Sequence, residues 1–256
     1  MGRSERHSGT SHWDVSAVVV AAPAVTAALR EGTEPAGTPY APADGEGVRV
    51  HPSAIVEPGV RLGSGTAVWD NVHIRGPATI GRDCIVGEKT YIAYGVTIGD
   101  CVKINACVYI CTGVTVEDCV MLAAGVIFTN DRYPRAFDEH GGLAFSGPTE
   151  ETLATTVRTG ATIGAGALIG PGLEIGAFAM IGMGAVVTAN MPPHALAFGN
   201  PARLHGYVCV CGVPLPLMSR AVRPTRVAET CGRCGRAYTL TSGDGGGVQL
   251  LHDAHR

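Results

Sequence analysis

The hydrophobic positions of this chain fall on every sixth residue. From Val50 the series runs Val56, Leu62, Val68, Ile74, Ile80, Val86, Ile92, Ile98, Ile104, Ile110, Val116, Leu122 and Phe128. After a gap it resumes as Val157, Ile163, Ile169, Ile175, Ile181 and Val187. An amphipathic helix repeats at about 3.6 residues and a half-buried strand at two. A strict six instead predicts a chain that turns a corner at every repeat and stacks like side chains coil upon coil. Four residues after each aliphatic stands a small or β-branched residue, as in Ala54, Thr66, Val72, Ala78, Cys84, Thr90, Ala161, Ala167, Ala179 and Ala185. One large and one small residue per repeat then fill each face of a triangular prism. Gly often follows the aliphatic directly, as at Gly63, Gly81, Gly99, Gly164 and Gly182, and is expected to tolerate the corner backbone. The prediction is an all-β fold, a parallel β-helix of hexapeptides.

Composition fits that interior. The 256 residues include 36 Gly but only 5% aromatic and 16% charged residues, as a narrow core with many corners requires. A net charge of −3 argues against a nucleic-acid partner, which needs a basic face. No apolar run approaches the roughly 20 residues of a membrane span. The apolar stretch Val18–Leu29 is broken by Pro23, and Glu31–Gly47 is crowded with Gly, Pro, Ala and Glu. Residues 1–47 are therefore read as a disordered leader rather than a secretory signal. Nine Cys without an export signal predict a cytoplasmic protein whose thiols are free or bound to metal.

The repeat also divides the chain. Residues 48–207 form the expected β-helix, interrupted by a loop insert at 129–156, and residues 208–256 carry a separate Cys cluster and a Gly-rich tail. A prism filled with aliphatics has no interior cavity, so a pocket must lie outside it, between a loop and a neighbouring subunit. The insert opens with Phe128-Thr129-Asn130-Asp131-Arg132-Tyr133-Pro134-Arg135, dense in hydrogen-bonding groups. Long loops of this kind are more often functional than idle.

These segments resemble the hexapeptide-repeat acyltransferases. The exit from Val187 to Arg203, with Met191-Pro192-Pro193-His194 and Gly199-Asn200-Pro201, is similar to that family's terminal motif. Val50–Val56, Val68–His73, Lys103–Asn105 and Phe128–Arg135 together resemble the sugar-nucleotide 3-N-acetyltransferases. The resemblance implies a left-handed β-helix, a homotrimer with acyl-CoA between subunits, and acetylation of a UDP- or dTDP-linked 3-amino sugar by direct attack on acetyl-CoA. It implies Asn130 and Asp131 at the reacting amine, with His73, Asn105, Arg132 and Glu151 toward the sugar nucleotide. Gly164, Gly182, Asn200 and Arg203 are implied on the CoA side. One departure stands out: Ile163-Gly164-Ala165-Gly166 lacks the Asn that similar enzymes carry at its fourth position.

Each of these residues has a plainer reading beside the functional one. Asn130 and Asp131 suit a loop turn, Glu151 a solvated loop, and His73 an ordinary surface position. Deprotonating a sugar amine is a modest demand, so alignment and oxyanion stabilisation carry more of the chemistry than a base. His140, the single His of the insert, would be that base if one exists, yet Asp138-Glu139-His140-Gly141-Gly142 reads as a mobile tip. Sugar O-acetylation, which would demand such a base, and a non-catalytic hexapeptide scaffold are the rival readings. A metal enzyme on the same prism needs two closely spaced His, which the repeat lacks.

The Cys fall into two groups. Cys84, Cys101, Cys107, Cys111 and Cys119 lie in the repeat and are read as small packing residues. Cys209-Val210-Cys211-Gly212 and Cys231-Gly232-Arg233-Cys234-Gly235 are two pairs, each followed by Gly. That pattern predicts a four-thiolate structural zinc site in a zinc-ribbon-like domain, although the first pair is one residue short of Cys-x-x-Cys.

Overall fold

A computed structural model of the chain describes residues 41–42, 46–145, 147–149, 152–216, 226–241 and 247–252. The predicted leader up to residue 40 lies outside them. Ala41–Pro42, within the stretch expected to be disordered, pairs antiparallel with Arg49–Val50.

Arg49 aligns with Ala67, Ala67 with Ile85 and Ile85 with Lys103, all in parallel, so one coil takes 18 residues and three hexapeptides. The first face runs from Arg49–Val50 through Met180–Ile181 to Ala195–Phe198. The second runs from Ile55–Val56 to Val186–Val187, and the third from Val60–Leu62 to Glu174–Ile175. The result is an all-β parallel solenoid. Its strands in the coils are two or three residues long, because a corner follows each inward aliphatic.

The core follows the period. From Val68 to Val187 the sixth-residue aliphatics are 0–1% exposed, and Thr66, Val72, Cys84, Thr90, Ala161 and Ala185 fill the small positions between them. Buried hydroxyls are satisfied within the stack: Thr66 Oγ1 donates to the Gly81 carbonyl at 2.8 Å and Thr90 Oγ1 to that of Asn105 at 3.1 Å. The first three aliphatics, Val50, Val56 and Leu62, are only partly buried, at the end of the stack among the described residues.

The corner glycines work differently from the expectation. Gly164, directly after an aliphatic, does not have a left-handed φ; a Cβ there would lie 2.6 Å from the backbone nitrogen of Met183 in the next coil. Gly at this position therefore permits close coil stacking. The left-handed residue comes two positions later, as at Gly95 with φ 73°. Asn71, Asp83, Lys89, Cys101, Cys107, Cys119 and Phe178 occupy the same kind of corner with φ of 54–59°. Cys101, Cys107 and Cys119 are thus exposed corner residues, whereas Cys84 and Cys111 are buried as packing thiols should be.

The insert leaves at the corner after Phe128 and returns without loss of register. Tyr109 aligns with Ile127, Ile127 with Leu168, and Thr155–Val157 with Val114–Val116. The repeat thus resumes at Thr155, two residues before Val157. After the last coil, Ala195–Phe198 turns back against Arg203–Tyr207. Beyond it a second core gathers Tyr207, Cys209, Leu215, Cys231, Tyr238 and Leu240, beside an antiparallel sheet of Arg226–Thr230, Ala237–Thr241 and Gly247–His252. No helix among the described residues is long and apolar enough to cross a membrane.

Candidate active site and metal centre

Alternation within each two-residue strand sends one side chain inward and its neighbour outward. On the second face the outward residues of successive coils are His73, Tyr91, Tyr109 and Ile127. The rings of Tyr91 and Tyr109 stack 5.2 Å apart with a 9° interplanar angle, and His73 meets Tyr91 edge-on at 5.5 Å. The insert folds over the adjoining corner and encloses a groove of about 950 Å³ against this wall.

Asn130, Asp131 and Arg132 all line the groove, together with Arg75, Tyr91 and Tyr109. Two hydrogen bonds anchor Asn130. Its Nδ2 donates to the Thr112 carbonyl at 3.1 Å, and its own carbonyl accepts the Leu153 N–H at 3.1 Å, tying the two ends of the insert together. Among the described lining residues, Arg75, Arg132 and Arg135 outnumber the single carboxylate of Asp131, so the groove is positive on a chain of net charge −3. Cys111 also lines it, but burial, with a smaller contribution from the charge of Asp131, pushes its thiol up to about 11. It stays protonated and is no nucleophile near neutrality.

His73 lies lower on the same face. Its Nε2 is 2.9 Å from Glu57 Oε1, and the same carboxylate takes the Gly76 N–H and the Arg75 guanidinium. His73, then the Gly76 N–H, then Arg75 hold the Glu57 carboxyl below its ordinary range. Three coil steps separate His73 from the coil of Asn130, about 14 Å at roughly 4.8 Å per step. His73 does not line the groove.

The other expected contacts lie elsewhere. Asn105, Gly164 and Gly182 share a different corner, where each follows the inward aliphatic of the first face in a column that also holds Ala123. Asn200 precedes a cis proline, and Arg203 opens the returning strand; both are exposed. Glu151 falls outside the described residues. His140 is at the tip of the insert with its side chain 84% exposed, and Asp138 Oδ1 takes the N–H groups of His140 and Gly142. It does not line the groove.

Sequence reasoning missed Arg75, Tyr91 and Tyr109 as groove residues. The signal was present: in an aromatic-poor chain, His73, Tyr91 and Tyr109 recur at the spacing of one full coil, at outward positions.

The second constellation is the Cys cluster. The sulfurs of Cys209, Cys211, Cys231 and Cys234 all lie within 4.8 Å of one another, a spacing compatible with a small zinc site. Each pair forms a tight turn closed by its Gly. The Gly212 N–H bonds the Cys209 carbonyl at 2.8 Å and the Gly235 N–H that of Cys231 at 2.9 Å, with left-handed φ at both glycines. The short first pair therefore reaches the same cluster as the second.

Residues 59–94 match the bacterial transferase hexapeptide (six repeats) family. The chain is similar over 89 residues to the dTDP-3-amino-3,6-dideoxy-alpha-D-galactopyranose 3-N-acetyltransferase of Aneurinibacillus thermoaerophilus, at 39% identity. That alignment covers 35% of this chain and 42% of the relative, so the chain matches less than half the length of the curated enzyme. Among solved structures it is similar to PerB from Caulobacter crescentus in complex with CoA and GDP-perosamine, at 26% identity and TM-score 0.35, covering 62% of this chain and 57% of that one. It is also similar to AntD, an N-acyltransferase from Bacillus cereus solved with dTDP and coenzyme A, at 18% identity and TM-score 0.39, covering 62% and 80%.

Proposed function

We propose that the chain is an acyl-CoA-dependent N-acyltransferase that acetylates the amino group of a nucleotide-linked 3-amino sugar. The observation that carries this reading is the placement of Asn130: anchored at the mouth of the insert, in a positive groove walled by tyrosines. The 39% identity to a sugar-nucleotide 3-N-acetyltransferase supports the substrate class.

The chemistry follows from the atoms. With Nδ2 committed to Thr112, Asn130 presents Oδ1, which accepts an N–H from a neutral amine and leaves the nitrogen lone pair for the thioester. The amine attacks the acetyl carbonyl, a backbone N–H takes the developing oxyanion, and the departing CoA sulfur takes up the proton. Asp131 orients the amine, and Arg132 binds the anionic nucleotide. The exposed setting of His140 favours the amine over a hydroxyl acceptor, which would need a base.

The groove around Asn130 and the expected CoA-side residues Gly164 and Gly182 occupy different corners of one prism. A second copy of the chain must bring the acyl donor to the groove, and a homotrimer with donor sites between subunits satisfies this. Exposed Ile55, Ile85, Ile127 and Leu168 on the flat faces suit such packing. The four clustered Cys hold a structural zinc, in a protein that works in the reducing cytoplasm.

A panel of UDP- and dTDP-linked amino sugars with acetyl-CoA, read by mass spectrometry and thiol release, tests the activity. Asn130→Ala is expected to lower turnover roughly ten- to a thousandfold, a loss of about 1.4–4 kcal/mol of transition-state stabilisation. His140→Ala is expected to change it little. The opposite ranking would replace this mechanism with a His-assisted transfer.

A further inference from the structure

Tyr238 has no exposed surface, and its hydroxyl lies 3.0 Å from Cys209 Sγ and 3.0 Å from the Val210 backbone nitrogen. The Val210 N–H can only donate, so the phenol oxygen accepts there; a Cys209 thiolate, which has no hydrogen to give, then receives the phenol's own hydrogen. An O–H aimed at a thiolate is a charge-assisted bond, and it fixes the direction of that ligand. The same ring reaches the solenoid. It meets His194 at 5.5 Å and 69°, and His194 in turn stacks on Phe178 at 5.3 Å and 29°.

His194 is 6% exposed, and burial depresses its pKa below the usual 6.5, which favours the neutral ring. Its Nδ1 bonds the Val208 carbonyl at 3.0 Å, and the Val208 N–H bonds the His194 carbonyl at 2.8 Å. Phe178 belongs to the prism, with its N–H on the Thr159 carbonyl of the coil below. The turn at Gly212 also approaches Met180 of the first face. Phe178, His194, Tyr238 and Cys209 therefore make one column from the last coil to the Cys cluster, half-buried at Phe178 and buried at the other three.

We infer that Tyr238 is a positioning residue for the metal at Cys209, Cys211, Cys231 and Cys234, and that metal binding orders the exit segment 192–207 through His194. This rests on the reading of the four Cys as a zinc site. A solenoid must close its terminal coil, and the module that closes this one has too small a core to fold on contacts alone. The metal supplies that order, and the column passes it to the strands Ala195–Phe198 and Arg203–Tyr207. The second strand opens with Arg203 and runs through Val208 into Cys209, and Asn200 lies between the two; the resemblance implies both Asn200 and Arg203 on the CoA side. Zinc occupancy thereby controls the donor end of the site, while the groove around Asn130 lies on coils the column does not reach.

The full-length zinc protein tests this in two measurements. Tyr238→Phe keeps the ring on His194 and removes only the hydroxyl. Competition with a chromophoric chelator should show zinc affinity reduced about 10- to 100-fold, and the cobalt(II) form should show a shifted thiolate charge-transfer band. Hydrogen exchange of the unmodified protein, with and without chelator, should show protection lost over 194–207 and retained over 68–128. A chain that takes up no zinc would overturn both the metal reading and this inference. A chain that binds zinc equally well with Phe at 238, or whose exit segment exchanges identically after chelation, would overturn the inference alone.

Discussion

The prism and the Cys module are two solutions to one problem, the stability of a chain with little helix and few aromatics. In the prism every coil repeats the same burial. Ile74, Ile92, Ile110, Phe128, Ile169 and Val187 stack on the second face with none of their surface exposed. Each coil gains its stability from the ones above and below, so order is spread along the axis. The Cys module has no such repeat. Among the described residues its core is six buried residues, two of them Cys, around four sulfurs within 4.8 Å. The first region is held by many weak and nearly equivalent contacts; on the proposed zinc reading, the second is held by one centre whose loss removes its main support.

The sharpest way to break that comparison is to take away the centre. Replacing Cys231 and Cys234 by Ser should abolish zinc binding, an interaction worth on the order of 10–16 kcal/mol in small zinc modules. Metal analysis should show about one zinc lost per chain, while far-ultraviolet circular dichroism still reports the solenoid. Unchanged zinc content would refute the assignment of these ligands.

A smaller effect comes from the middle of the prism. Ile104 is fully buried between Val86 and Leu122, and Ile104→Ala should cost about 2–5 kcal/mol, since neighbouring coils cannot collapse into the space. The thermal midpoint should fall while zinc content stays at the unmodified level. Zinc loss in this variant would show that the two cores unfold together.

The smallest effect separates corner from core among the thiols. Cys119 is exposed and held at φ 58°, a conformation that costs an L-residue about 1–2 kcal/mol. Glycine removes that strain but adds about 0.5–1 kcal/mol of unfolded-state entropy. Cys119→Gly should therefore raise stability by up to about 1 kcal/mol in denaturant titration. A clear loss of stability would mean that the thiol packs as a core residue after all.

The coils were legible because a solenoid writes its fold in local order. Each sixth residue faces inward whatever happens far away, and the alternating small residue follows from the same geometry. The corner glycines were misread because composition cannot distinguish two reasons for lacking a Cβ. Close approach at Gly164 and left-handed φ at Gly95 both appear simply as Gly. The motif singled out Asn130 as a candidate, but the partners that hold it at the groove were not legible. Thr112 is 18 residues away and Leu153 lies on the far side of the insert, so only the return of the chain in register makes those bonds.

The sequence alone therefore determined the repeat, the inward set, the position of the interruption and the four clustered thiols. All of these depend on spacing along the chain. The tertiary structure decided which corner the insert covers, that Arg75, Tyr91 and Tyr109 form its facing wall, that His73 stands three coils from Asn130, and that Tyr238 joins His194 to Cys209. Those relations join residues that are remote in sequence and are set by how coils stack and where the exit segment folds back, which no local period encodes.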